Sequence, residues 1–160
     1  MIFASLIFLY LFLPLNLIIY FFSRSTGAKN AALLVFSLVF YAWGRPAWML
    51  LLVFTAWCDW RNARRVEKYR GTWKAKAAFA ASLVFDIGVF VLFKYTGFFA
   101  ENINFLFKSA LPVPDFELPI GISFYTFQTL TYVIDVYRGD CKAQPRFSSY
   151  LLYLSMYFQL

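Results

Sequence analysis

Five residues of one apolar segment, Gly121, Tyr125, Gln128, Tyr132 and Asp135, recur at spacings of four, three, four and three. On an α-helix that spacing puts a glycine, two phenols, an amide and a carboxylate on one face. Ser123 belongs to the same segment and joins them as a candidate. A helix face turned to hydrocarbon gains nothing from such groups, so the stripe is expected to face other helices or a water-filled cavity. Two readings stay open: the wall of a path for a polar substrate, or hydrogen bonds that tie the helix to its neighbours. Asp135 and Arg138, three apart, also have the spacing of a helix-surface ion pair. Asp86 is a further candidate. It lies about nine residues into an apolar stretch, deep in the hydrocarbon at about 1.5 Å of rise per residue. An acid there costs about 2.5–3.5 kcal/mol on insertion scales, so it calls for a partner or a cavity.

Other chemistries are excluded. The chain contains no histidine, the usual general acid–base near neutral pH. It has no paired metal ligands, no Gly-rich phosphate loop and no Ser–His–Asp set. Cys58 and Cys141 are far apart, match no metal or redox spacing and read as two free thiols. Nothing near Cys58 in the sequence would activate it as an acyl-thioester nucleophile. No cofactor and no metal is expected to be bound.

The elements that carry these residues read as membrane helices. Of the 160 residues, 62% are hydrophobic and 14% charged, and the mean hydropathy is +0.63. That is too little charge to cover a soluble domain. The net charge of +7 is confined to short segments between apolar runs, which speaks for membrane loops and against nucleic acid. Apolar runs cover 1–22, 31–43, 47–60, 77–99 and 118–137, and a last one starts near 147. The expected fold is therefore all-α, a polytopic integral membrane bundle of about six helices. Run 1–22 has no basic flank and is longer than a signal-peptide core, so it reads as a retained helix, with Pro14 a candidate kink. Runs 31–43 and 47–60 are short for a span and must borrow flanking residues, lie upright or re-enter. A basic segment at 61–76, an amphipathic piece at 102–107 and a loop at 111–115 separate the remaining runs. Pro119 suits the first turn of a helix that Gly139 would end.

Placing segment 61–76 in the cytoplasm puts 23–30 and 138–146 there too, with twelve of the fifteen Lys and Arg. Arg45 and Lys108 are left outside, and Lys94 can snorkel. Trp43 and Trp48 then flank the outer turn, while Trp57, Trp60 and Trp73 lie at the inner boundary.

Segment Leu118-Pro119-Ile120-Gly121-Ile122-Ser123-Phe124-Tyr125-Thr126-Phe127-Gln128, ending in Ile134-Asp135-Val136-Tyr137-Arg138-Gly139-Asp140, resembles the hallmark region of membrane-bound O-acyltransferases of the bacterial alginate O-acetyltransferase type. Stretches 8–14, 39–44 and 93–99 are similar to that branch as well, so the resemblance covers essentially the whole chain. It implies residues 1–160 form the N-terminal part of an acyltransferase domain, ending before a catalytic histidine beyond Leu160, with no catalytic residue in this portion and no activity of its own. The apolar run still in progress at Leu160 fits that expectation. The resemblance also implies acetyl-CoA or another acyl thioester as cytoplasmic donor, a polysaccharide or carrier as extracytoplasmic acceptor, an extracytoplasmic acyltransferase as partner, and the bacterial inner membrane as location. Gly121, Ser123, Tyr125, Gln128, Tyr132, Asp135 and Asp86 would then line the substrate tunnel. One departure is visible: the family's Phe-Pro-Gln-Leu phrase lacks its proline here, where Phe158 directly precedes Gln159-Leu160. The alternative from another class is a transporter or membrane scaffold, in which the stripe lines a permeation path or a subunit contact.

Overall fold

The computed structural model describes residues 6–44, 46–107 and 121–156. Pro119, the loop at 111–115, Arg45, Lys108 and the Phe158 departure lie outside them. All regular structure among the described residues is helical, as expected. A π-helical turn, Phe8–Phe12, leads into α1 (Leu13–Phe22), followed by α2 (Thr26–Gly44), α3 (Pro46–Lys68), α4 (Trp73–Phe107), α5 (Ile122–Arg138) and α6 (Phe147–Ser155).

The π turn has a local cause. Pro14 lacks an N–H, and its ring would collide with the carbonyl four residues back. The chain widens just before it, and the Leu13 N–H donates to the Phe8 carbonyl. Phe8 and Phe12 stack at 5.5 Å and meet Phe40 of α2 at 5.6 and 6.2 Å, which fastens α1 to α2.

Both short apolar runs do borrow flanking residues. α2 starts at Thr26 and α3 runs from Pro46 to Lys68, eight residues past Trp60. The basic segment is thus largely helix, not loop. Arg, Lys, Glu and Ala are good helix formers, and Ala63 and Val66 on one side of this extension pack against Val133 and Val136 of α5. Only 69–72 form the turn into α4. The amphipathic piece at 102–107 is likewise the end of α4, with no break after the apolar run.

α3 is the central helix, in contact with α2, α4, α5 and α6, while α4 also packs on α5 and α2 on α6. The main core gathers Tyr41, Leu52, Ala56, Ile122, Tyr125, Tyr150 and Leu154. All three basic segments meet at one end of the bundle. Arg70 donates to the Val136 carbonyl at 2.8 Å, and Trp60 Nε1 to the Gln144 carbonyl at 2.7 Å. The start of α2 lines one cavity with Arg146, Ser148 and Ser149. At the other end, Trp48 meets Phe93 edge-on at 5.4 Å. By length and composition, one helix among the described residues can cross a membrane, α4 over Trp73–Phe98, and most of that apolar surface points outward. Tyr10–Phe22 is a shorter apolar helix.

Candidate functional site

α5 ends as its glycine requires. Gly139 sits at φ +94°, and the N–H groups of Gly139 and Asp140 both donate to the Asp135 carbonyl at 2.9 Å. The helix buries Ile122, Tyr125, Thr126, Thr129, Val133 and Val136. The polar stripe is one edge of that face, and the structure divides it into parts.

Tyr125 points into the core, where it meets Asp86 of α4 and Asp59 of α3 in a small pocket shared with Thr55, Thr126 and Thr129. Asp59 and Asp86 are 1% and 4% exposed. Ser82 Oγ donates to Asp59 Oδ1 at 2.7 Å, and the Asp86 carboxyl lines the same pocket as Asp59. Two ionised carboxylates buried side by side repel and offer acceptors only, so one proton shared between them is the arrangement that would stabilise the pair. Thr55 and Thr129 turn their hydroxyls onto the Leu52 and Tyr125 carbonyls of their own helices. The Tyr125 and Tyr41 hydroxyls and Asp86 Oδ2 are buried without a protein partner. The pocket has no room for a water molecule. A dry carboxyl pair of this kind can hold a proton and join three helices. No group of three or more metal-ligating side chains occurs among the described residues.

The rest of the stripe faces α6 and the loop before it. Gln128 Nε2 donates to the Tyr153 carbonyl at 3.1 Å. The Tyr132 hydroxyl accepts the Gln144 N–H at 2.7 Å, and its ring lies 4.8 Å from that of Tyr150. Asp135 and Tyr132 share a cavity of about 340 Å³ with Cys141 and Lys142. Arg138 pairs with Asp140 at 3.3 Å instead of with Asp135. Gly121 caps the start of α5 at φ +74°. Ser123 stands apart in an open groove of about 760 Å³, shared with Phe124, Phe127, Gln128, Thr131 and Tyr153. Both cysteines are free and half-buried.

Asp86 therefore has the partner that its depth demands, and that partner, Asp59, was not among the sequence candidates. Beside Arg61 and near the end of an apolar run, Asp59 reads as an interfacial acid; the extension of α3 past it moves it inside. Thr55 with Asp59 and Ser82 with Asp86, each four apart on an apolar helix, carried the signal that both pairs share a face.

No protein-family model matches the chain, and no solved structure does. Curated relatives do. The Pseudomonas aeruginosa protein named "Probable alginate O-acetylase AlgI" is 36% identical over 98% of this chain and 31% of its own length. Its namesake in Azotobacter vinelandii is 35% identical over 98% of this chain and 32% of its length. A "Peptidoglycan O-acetyltransferase" of Helicobacter pylori is 28% identical over 91% of this chain and 28% of its length. Over 98% of its length the chain is thus similar to proteins named for O-acetylation, in line with the resemblance to membrane-bound O-acyltransferases carried by 118–140. It spans about a third of the length of the curated relatives it matches. Within the segment that carries the acyltransferase resemblance, Ile122–Arg138 form α5, and Gly139 and Asp140 its closing turn. In this chain α5 thus supplies Tyr125 to the pocket of the two buried acids and Gln128 and Tyr132 to the α6 side.

Proposed function

We propose that this chain is part of a membrane enzyme of the bacterial inner membrane that moves an acetyl group from a cytoplasmic thioester, acetyl-CoA being the natural donor, to a hydroxyl of an extracytoplasmic polysaccharide or carrier. The observation that carries this reading is similarity over 98% of the chain to a protein named for O-acetylation of a polysaccharide. In the transfer, the acceptor hydroxyl attacks the thioester carbonyl, a general base takes its proton and the thiolate leaves. The resemblance assigns that base to a histidine outside these 160 residues, and none of the residues here takes that part.

Such a reaction joins two compartments and needs a path through the bundle. We assign the helices as about six membrane elements with the three basic segments in the cytoplasm. In support, those segments meet at one end, and large apolar side chains face outward on α1, α3 and α4. Gly121, Ser123, Gln128, Tyr132 and Asp135 are the proposed path wall, because Ser123 and Gln128 edge one groove and Tyr132 and Asp135 another on the same side of α5. Tyr125 and Asp86 stand behind that wall as its support. An extracytoplasmic acyltransferase that takes over the acetyl group is the proposed partner.

The test is transfer of radiolabelled acetyl by membranes that express the complete gene. Gln128→Leu and Asp135→Leu are expected to insert normally and to lower transfer. Wild-type transfer by both variants would remove the path from α5, and no transfer by the wild type to any polysaccharide acceptor would remove the enzyme reading.

A further inference from the structure

The outward face of α3 changes character along its length. Leu50, Phe54, Trp57, Arg61, Arg64 and Lys68 follow one another at spacings of four, three, four, three and four, which makes a single straight stripe. Its first half is apolar and open, with Leu50, Phe54 and Trp57 exposed by 63%, 54% and 41%. Its second half is cationic. Arg61, Arg64, Arg65 and Lys68 with Trp57 and Trp60 line a groove of about 580 Å³. The Arg61 guanidinium lies 5.3 Å from the centre of the Trp57 ring and that of Arg64 5.0 Å from Trp60, so both sit over indoles while their side chains stay exposed. Glu67 lies at the groove's edge, yet among the described residues no carboxylate pairs with Arg61, Arg64 or Arg65. Three unpaired guanidiniums at one spot call for an anion with several acceptor oxygens.

We infer that this stripe binds an anionic phospholipid, with the headgroup phosphate on Arg61 and Arg64 and an acyl chain along Phe54 and Leu50. The site depends on α3 lying across the bilayer with its basic end at the surface, as proposed above, but not on the acetyl-transfer reaction. A soluble phosphate compound would use the basic groove alone. The apolar half in line with it on the same face fits a molecule that is charged at one end and hydrocarbon along the rest. Tryptophans at the junction mark the headgroup level, where indoles settle, and basic clusters there attract anionic lipid.

The experiment reconstitutes the complete protein in bilayers of phosphatidylcholine and phosphatidylglycerol in equal amounts, re-extracts it in neutral detergent and identifies retained lipid by native mass spectrometry. Wild type is expected to keep phosphatidylglycerol over phosphatidylcholine, with retention that falls as salt is raised and does not fall on addition of coenzyme A or inorganic phosphate. Arg61→Gln with Arg64→Gln is expected to cut retention on the order of tenfold or more. Arg138→Gln with Lys142→Gln removes the same charge from the same end outside the groove and should leave it intact. Equal retention of the two lipids, insensitivity to salt, an equal loss in both double variants, or displacement by coenzyme A would each overturn the assignment. The wild-type measurements decide the matter even if a variant fails to fold, and acetyl transfer is scored separately.

Discussion

Replacing Asp86 tests whether the acid pair joins the helices through its shared proton. Asp86→Asn keeps the shape and supplies an amide N–H to Asp59 where the shared proton stood. Asp86→Ala removes that donor and leaves the Asp59 carboxylate, 1% exposed, with Ser82 as its remaining side-chain donor. A hydrogen bond to a charged group contributes about 1.5–3 kcal/mol. Breaking a buried charged pair from one side costs about 3–5 kcal/mol. The wild-type pocket admits no water, and one drawn into the space the carboxyl vacates replaces only part of the lost bond, so a value of about 3 kcal/mol for Ala is expected. Asn should stay within about 1 kcal/mol of wild type, since it forfeits no donor to Asp59. The assay is reversible unfolding of the complete protein in mixed micelles, followed by tryptophan fluorescence. Equal losses for Asn and Ala, or an Ala variant as stable as wild type, would refute the shared-proton contact as a link between α3 and α4.

Gly139→Ala forces an L side chain into φ +94° and sets a Cβ 3.0 Å from Arg70 Nη1. A loss of about 1–2 kcal/mol is expected, most of it surviving in an Arg70→Ala background, because the arginine can move aside while the backbone strain remains. Tyr132→Phe frees the Gln144 N–H, so that amide should exchange with deuterium faster and stability fall by about 1 kcal/mol; unchanged exchange would show that the bond does not hold the loop. Burial first, and then Asp135, Asp140 and Glu67, push the Cys141 thiol up against the opposing pull of Arg70. Its thiolate fraction at neutral pH is therefore smaller than that of an ordinary thiol. With Cys58→Ser in place, alkylation of Cys141 should be slow at neutral pH, climb as the pH rises and quicken with Asp135→Asn; a rate equal to that of a free thiol at neutral pH would contradict this.

Helix class, the outward apolar surface, the cap at Gly139 and the start of α6 at Phe147 were legible from residue types and spacing, because each depends on a few neighbouring residues. Run lengths were less legible. Hydropathy stops at Trp60 and at Phe99, but helix propensity does not, and α3 and α4 continue to Lys68 and Phe107. The stripe on α5 was visible as a period, yet its direction was not. A period says that residues share a face, and only the packing of α6 against Gln128 and Tyr132 separates them from Tyr125.

Composition and pattern by themselves determined that this chain is helical, rich in apolar surface and basic at alternate turns, since those follow from what each side chain does in water or hydrocarbon. Tertiary structure alone decided that Asp59 and Asp86, on separate helices, meet over Ser82 beside Tyr125. The reason is physical: a buried carboxyl must find a hydrogen-bond partner, but which one it finds depends on how α3, α4 and α5 nest their side chains together. No local period records that choice.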